Sequence, residues 1–505
     1  MSLLGIDVGS SSCKAVAFDI KGNILAKSIL DYWPDTNGIF SEMDADIFWK
    51  SVIKVVGDVS KKLKKDEIEA LSISSQGETF ICVDKAGNCV CPAIMNSDNR
   101  AKGEVDLLNK IFNKEKIYRI SGAPLHPMFP LAKILWLKKN KPDIYERTKY
   151  FLSAGDYILY KMGFGTISDY SLSSRTQLFD VNKRSWSDEI LENVGFDKKK
   201  LPDTYQAGIK VDKLNKEIAE ILNLKPGVVV GLGGHDQPCG ALGAGVINHR
   251  NIVDSAGTYE CLAVSSDNPN LSLDSRKYNL NSYCHVVENK YITLAFSPGG
   301  VMVKWFIDNF FNAEKNRASK ENTNLYKYLE KRIPDDPTGI CITPHIIGSI
   351  NPNWNPYATT TISGITLKAN KYNLYKAIFE GISFELNLNI KVLESLVGNF
   401  DFIYITGGGS GSKKWVKLRA DITGKRFKTL KNKESVCLGA AILAGLAAKK
   451  FKSVKEAIKE LVKVNEEFLP DIDSFKEYDI QKKQYKLIYP SLEEYRKVRK
   501  GETSN

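Results

Sequence analysis

Five short stretches of the sequence carry residue types suited to phosphate and hydroxyl chemistry. Gly233-Gly234-His235-Asp236-Gln237-Pro238 ends an apolar run and precedes a small-residue helical pattern, Cys239 to Gly245. A carboxylate at the carboxyl edge of a strand stands where α/β proteins bind ligands, so Asp236 is a candidate base with His235 and Gln237 beside it. The same residue would serve as a helix-capping acid ahead of Pro238, and spacing alone does not separate the two roles. Asp7-Val8-Gly9-Ser10-Ser11-Ser12-Cys13-Lys14 offers a glycine turn, hydroxyls and an ammonium to an anion, and Asp7 a carboxylate to hydrated Mg²⁺. Neither GxxxxGK[ST] nor GxGxxG spacing is present. Gly407-Gly408-Gly409-Ser410-Gly411-Ser412 follows a β-branched run and opens a helical pattern, a junction that admits a flat base or a phosphate against bare backbone. Finally, Ser74-Ser75-Gln76-Gly77-Glu78-Thr79 and Asn96-Ser97-Asp98-Asn99-Arg100 cluster amides, carboxylates and hydroxyls after β-like segments. Polyhydroxylated ligands need such groups, because a buried polar atom without a partner costs about 1 to 3 kcal/mol. An ordinary polar loop has the same composition.

The elements that hold these stretches alternate between strand and helix. Leu3 to Val8 and Ala15 to Ile20 read as strands around a tight turn; Glu69 to Ser74 and Gly227 to Leu232 are further β-rich runs. Ala45 to Lys61 and Leu131 to Lys138 have helical spacing, so the fold class is α/β. Laying Gly9 to Val16 over Gly257-Thr258-Tyr259-Glu260-Cys261-Leu262-Ala263-Val264 matches glycine, hydroxyl, cysteine, alanine and valine in step. That weak repeat implies two lobes from one duplicated unit. Asp267 to Gly348 carries scattered Pro, Asn and Asp and is expected to hold loops and short elements, and amphipathic helices are expected from Phe451 onward.

With 505 residues the chain exceeds the size of a single core, and 43% hydrophobic with 26% charged residues fits globular folding throughout. The excess of 71 Lys and Arg over 59 acidic residues is spread along mixed-charge segments, without zinc-finger spacing, so neither nucleic acid nor a membrane is expected as a partner. Nine scattered cysteines and an amino terminus without a basic, then apolar, cleavable leader predict a cytoplasmic protein with reduced thiols. Cys437 to Ala448 is too short for the roughly 20 residues that span a bilayer. A lone His235, with no second histidine at ligand spacing, argues against zinc.

In this order the motifs resemble the FGGY carbohydrate kinases, the family of glycerol kinase and xylulokinase. Met128-Phe129-Pro130-Leu131-Ala132-Lys133-Ile134-Leu135-Trp136-Leu137-Lys138-Lys139-Asn140 is similar to the family's first signature at every constrained position. The second runs from Thr360 through Gly364-Ile365 to Asn373-Leu374 and Ala377-Ile378-Phe379-Glu380, with Thr360 where a smaller residue is usual. The likeness extends from about residue 3 to about residue 448. It implies a two-lobed actin and hexokinase-like (ribonuclease H-like) ATPase fold with a duplicated core: an amino-terminal lobe at 1–246, a carboxyl-terminal lobe at 247–450, and a helical extension at 451–505 packed on them. It further implies ATP and Mg²⁺ as cofactors. Asp7 with Gly9, Ser10, Ser11 and Lys14 match the first phosphate motif; Gly257 and Thr258 match the second. Gly300 matches a nucleotide-contacting glycine, and Gly408, Gly409 and Ser412 fall in the adenosine motif. Asp236 matches the catalytic aspartate and, with Asp7, would hold Mg²⁺ through water.

The substrate side departs from named members. Gln76 matches xylulokinase-like sequences, but their following Met-His pair is Gly77-Glu78 here; Gly77 also replaces glycerol kinase's arginine, and Met128 its tyrosine. Gln76, Gly77, Glu78, Asp98, His235, Asp236 and Gln237 are the expected sugar contacts. An acidic lining of Glu78, Asp98 and Asp236, tempered by Arg100, predicts a neutral ligand. Xylulose or a related ketose is favoured, with a glycerol- or erythritol-type polyol as the alternative. An actin-like ATPase or a sugar sensor shares the fold, and a homodimer is compatible with the sequence.

Overall fold

The computed structural model describes residues 2–63 and 67–501. Short apolar runs between turn residues form two central sheets. In the first, β1 (Ser2–Val8), β2 (Ser12–Phe18), β3 (Ile24–Asp31), β4 (Ile68–Ser75), β5 (Lys210–Lys213) and β6 (Val229–His235) lie in the order β5-β6-β4-β1-β2-β3. β6, β4 and β1 run parallel, with antiparallel neighbours on both sides. The second sheet has β7 (Asn251–Ala256), β8 (Tyr259–Ser266), β9 (Asn281–Cys284), β10 (Tyr291–Pro298), β11 (Phe402–Thr406), β12 (Phe427–Leu430) and β13 (Val464–Phe468), ordered β9-β10-β8-β7-β11-β12-β13. Read from β13, it repeats the first sheet strand for strand and sense for sense, with β9 added at the far edge.

The register corrects the repeat in detail. Cys13 pairs with Val8, whereas Cys261 pairs with Ser255. With Gly9 laid on Gly257, the returning strands are therefore offset by one residue. The first turn closes from Gly9 N–H to the Ser12 carbonyl (2.9 Å), and the second, one residue tighter, from Gly257 N–H to the Tyr259 carbonyl (3.1 Å). Duplication survives in the topology, while the in-step cysteine match does not.

Two other expectations change. Asp267 to Gly348 holds more than loops and short elements: it supplies β9 and β10, and the latter pairs along the whole of β8. Its Asn and Asp residues mark turns around a run, Tyr291-Ile292-Thr293-Leu294-Ala295-Phe296, that is itself β-rich. The extension after Phe451 is not purely helical, because β13 closes the edge of the second sheet on β12. Residues 502–505 of that extension lie outside the described residues.

Helices cover both sheets. Asp46–Lys62 places Phe48, Val52, Val55, Val56 and Val59 on one buried face against Ile6, Val8 and Ala15 of the first sheet. Lys371–Val397 turns Leu386, Ile390 and Leu393 to Ile252, Leu262, Ile403 and Ile405 of the second. Between the lobes, α1 (Asp236–Gly243) meets its topological counterpart, the helix Ser435–Ala447, through Cys239, Leu242, Leu438, Ala441 and Ile442. The motifs of both lobes thus open at the carboxyl ends of facing parallel strands. Among the described residues no helix is long and apolar enough to cross a membrane.

Candidate active site

Asp236 is the first residue of α1, immediately beyond β6. His235 precedes it in extended conformation and does not cap the helix through its side chain; its N–H donates to Ser171 Oγ (2.9 Å) and its Nδ1 lies 2.7 Å from Tyr283 Oη. His235 Nε2 is 3.0 Å from Asp236 Oδ1, close enough for charge interaction but without hydrogen-bond alignment, so that oxygen is buried and lacks a bonded partner. Burial alone would raise the Asp236 pKa, but His235, the Gln237 backbone N–H and Arg175 outweigh it and hold the carboxyl below its ordinary value. Gln237 is half-buried in the first turn of the helix. On β1, Asp7 is different: burial and then repulsion from Asp236, against attraction from Lys14, push it up to about 7, and its Oδ1 also has no partner. Two neighbouring carboxylates with unsatisfied buried oxygens suit a divalent cation that completes its shell with water and phosphate oxygens. No group of three or more His, Cys, Asp or Glu side chains among the described residues could hold a metal unaided.

Among the expected sugar contacts, the loop after β4 is tightly bound. Gln76 donates from Nε2 to the Gly9 carbonyl (3.2 Å) and accepts from Thr79 Oγ1 (3.0 Å), so its amide joins this loop to the first phosphate turn. Glu78, at φ 51°, is buried and receives Arg175 Nε at 2.6 Å, with Arg175 Nη2 also against its Oε1. A Cβ on Gly77 would stand 2.9 Å from both Arg175 Cγ and His235 Nε2, so only glycine leaves room for them. Arg175 lies between the rings of Phe129 (5.1 Å) and Tyr283 (4.6 Å) and reaches Asn281 Oδ1 at 3.3 Å. Beside it a cavity of about 20 Å³, bordered by Glu78, Arg175 and Asp156, has room for a water.

Asp98 is fully buried and bound on both oxygens by Arg100, through Nε (2.8 Å) and Nη2 (2.8 Å), with the Ser41 N–H also on Oδ2 (2.7 Å). Lys133, wholly buried, donates to the Met95 carbonyl (2.6 Å) and the Glu78 carbonyl (3.2 Å), fastening the two polar loops together; burial pulls its pKa down to about 7. The premise of an acidic lining is therefore corrected: Glu78 and Asp98 are each neutralised by a guanidinium, leaving Asp236 as the unpaired charge among the three.

Gly9, Ser10 and Ser11, expected to bind phosphate, form a half-exposed turn in the first lobe, and Gly257 and Thr258 an exposed one in the second. Lys14 Nζ is held by Glu434 Oε2 at 2.6 Å, so its ammonium is already committed to an ion pair. The Gly300 N–H binds the Gly257 carbonyl (2.9 Å), seating the helix Gly300–Phe310 on the second turn. After β11, a Cβ on Gly409 would strike Ala256 and Trp415, whereas one on Gly408 would meet open space. Gly409 serves packing; Gly408 exposes backbone. Ser412 caps the helix Lys413–Thr423 by accepting from the Trp415 N–H (3.1 Å) and donates to Glu330 Oε1 (2.6 Å), so its hydroxyl is occupied.

Two facing turns, a strand-end carboxylate and a glycine loop in one cleft have a direct parallel in family comparisons. Residues 2–243 match the model of the FGGY family of carbohydrate kinases, N-terminal domain, and residues 253–448 that of the C-terminal domain. The chain belongs to the FGGY family of carbohydrate kinases. Members of this FGGY family are similar over nearly the whole length: a gluconokinase of Bacillus subtilis is 26% identical over 94% of this chain and 93% of its own. A xylulose kinase of Staphylococcus epidermidis is 27% identical over 96% of each. The fold is shared with the solved gluconate kinase from Lactobacillus acidophilus (TM-score 0.88, 23% identity, 97% of this chain and 98% of that one). It is shared too with the Plasmodium falciparum glycerol kinase bound to ADP (TM-score 0.84, 22% identity, 97% and 98%). As an FGGY kinase this protein phosphorylates a hydroxyl of a small sugar or polyol at the expense of ATP. What the motifs missed is the charge partner set: Arg175, Tyr283 and Asn281 come from segments without sequence punctuation, and a lone arginine after Ser173-Ser174 carries no recognisable signal.

Proposed function

We propose that Asp236 is the base that receives the proton of the acceptor hydroxyl, and that the substrate is a linear five- or six-carbon sugar, a neutral ketose of the xylulose type first. The observation carrying the base assignment is the contrast between the two carboxylates: Asp236 is held below its ordinary value, while Asp7 is pushed up to about 7; the ketose rests on the similarity to a xylulose kinase. Phosphoryl transfer needs in-line placement and charge neutralisation more than covalent help. Asp236 orients the hydroxyl and accepts its proton late, when the oxygen already bonds phosphorus, so an ordinary or lowered pKa is sufficient. The turns bind phosphate oxygens through Ser10, Ser11 and Thr258, because the Gly9 and Gly257 N–H groups close the turns themselves, and the adenosine lies against Gly408. Mg²⁺, held by Asp7 and Asp236 through water, would neutralise charge on the transferred group. His235, Glu78 and Arg175 bind sugar hydroxyls, and lobe closure limits loss of the phosphoryl group to water. The unpaired thiols fit a reducing cytoplasm.

A sugar acid is the second reading, favoured by the pairing of Glu78 with Arg175 and of Asp98 with Arg100, which removes two of the three negative charges that would repel a carboxylate. Coupled ADP formation by purified protein across ketoses, aldonates and alditols tests both. Xylulose is expected to lead; a lead for gluconate would support the second reading, and ATP hydrolysis indifferent to every sugar would contradict both.

A further inference from the structure

Asp254 on β7 and Glu260 on β8 flank the Gly257–Thr258 turn, and both point to one side chain, Arg419 of the helix Lys413–Thr423. Arg419 is entirely buried. Its Nη1 contacts Asp254 Oδ2 and Glu260 Oε2 (2.7 Å), and its Nη2 contacts Glu260 Oε1 (2.8 Å). The guanidinium lies 4.2 Å from the ring of Trp415, the same ring that leaves no room for a side chain at Gly409. Glu260 in turn packs against Gly299, where a Cβ would come within 2.8 Å of Glu260 Cγ, and Gly300 and Val301 bind the carbonyls of Gly257 (2.9 Å) and Thr258 (3.0 Å). All the second-lobe nucleotide motifs therefore meet on one ion cluster.

Such a cluster is a poor way to gain stability. Desolvating three charges costs several kcal/mol per ion, and a well-packed apolar replacement is often as stable. This one is also imperfect: Arg419 Nε and Asp254 Oδ1 are buried without partners, and two carboxylates share one cation. A planar fork that grips two carboxylates on adjacent strands does, however, fix their spacing and the angle of its own helix.

We propose that Arg419 is a positioning residue for ATP, setting the separation between the second phosphate turn and the adenosine loop without touching the nucleotide. The proposal rests on the nucleotide lying across Gly257, Thr258 and Gly408. R419K keeps the charge and loses the fork; its KM for ATP is expected to rise about 10- to 30-fold while the KM for sugar at saturating ATP stays within about twofold. The triple variant D254N/E260Q/R419M leaves no buried charge and is expected to fold and to show the same selective loss; it covers the case in which R419K fails to fold. A folded variant with an unchanged KM for ATP, or equal rises for ATP and sugar, would overturn the proposal. G408V is the control: a raised KM for ATP there with none in the Arg419 variants sinks only the positioning role, whereas an unmoved G408V sinks the nucleotide reading beneath it.

Discussion

The loops after β4 and after β11 hold equivalent places in the two lobes, each following the parallel neighbour of its lobe's phosphate hairpin, yet they are built oppositely. The first, Gln76 to Thr79, is crowded with side chains whose partners come from distant segments: Arg175, His235, Lys133 and the Gly9 carbonyl. The second, Gly407 to Ser412, is bare backbone, and at Gly408 nothing would meet an added Cβ. A sugar differs from its relatives in the placement of hydroxyls and must be read by side chains; an adenosine is constant and can rest on a flat surface. On the proposed function, one duplicated unit has yielded a side-chain reader for the sugar and a backbone platform for the adenosine.

Mutations that respect this contrast should separate the two substrates. The largest effect is expected from R175M, which leaves Glu78 buried and uncompensated: kcat/KM for sugar should fall about 10²- to 10³-fold. The KM for ATP should hold within about threefold; a loss shared equally between the two would break the contrast. G408V should do the reverse, raising the KM for ATP about 30-fold, or 2 kcal/mol, while leaving the KM for sugar unchanged in steady-state assays.

Between the loops lies Asp7. A carboxyl pushed up to about 7 is protonated below that pH, so protons compete with Mg²⁺ there as pH falls. Half-saturating Mg²⁺ should accordingly increase about tenfold between pH 8 and pH 6, whereas Asp236, held low, stays ionised throughout. A Mg²⁺ requirement that does not change with pH would remove Asp7 from the metal site. The smallest effect is expected at Lys14, whose ammonium is already paired with the half-exposed Glu434: K14Q should change the KM for ATP by less than about fivefold. A larger loss would show that the pair opens to receive phosphate.

How much was legible follows the same division. Turns and glycine junctions are local, so Gly9, Gly257 and Gly408 stand out in the sequence, as do the strands that end in them. Helix limits were also near, with Ala45 to Lys61 found at Asp46–Lys62. Pairings across the chain are not local. Nothing near residue 175 or 419 announces an ion pair with residue 78 or 260, and the carboxylate of Asp98 looked like part of an acidic lining because the guanidinium two residues on does not declare its side-chain direction. The run Tyr291 to Pro298 was hidden by its Asn- and Asp-rich surroundings, although its own composition is that of a strand. Charge arguments from composition failed where folding had already paired the charges.

Asp236 carries the account, and its replacement is the most direct test. D236N keeps the shape and removes the proton acceptor. Sugar-dependent ADP formation should fall by more than about 100-fold, with the dissociation constant for ATP, measured by equilibrium dialysis, staying within about threefold of wild type. Turnover close to wild type in D236N would contradict the assignment of Asp236 as the base.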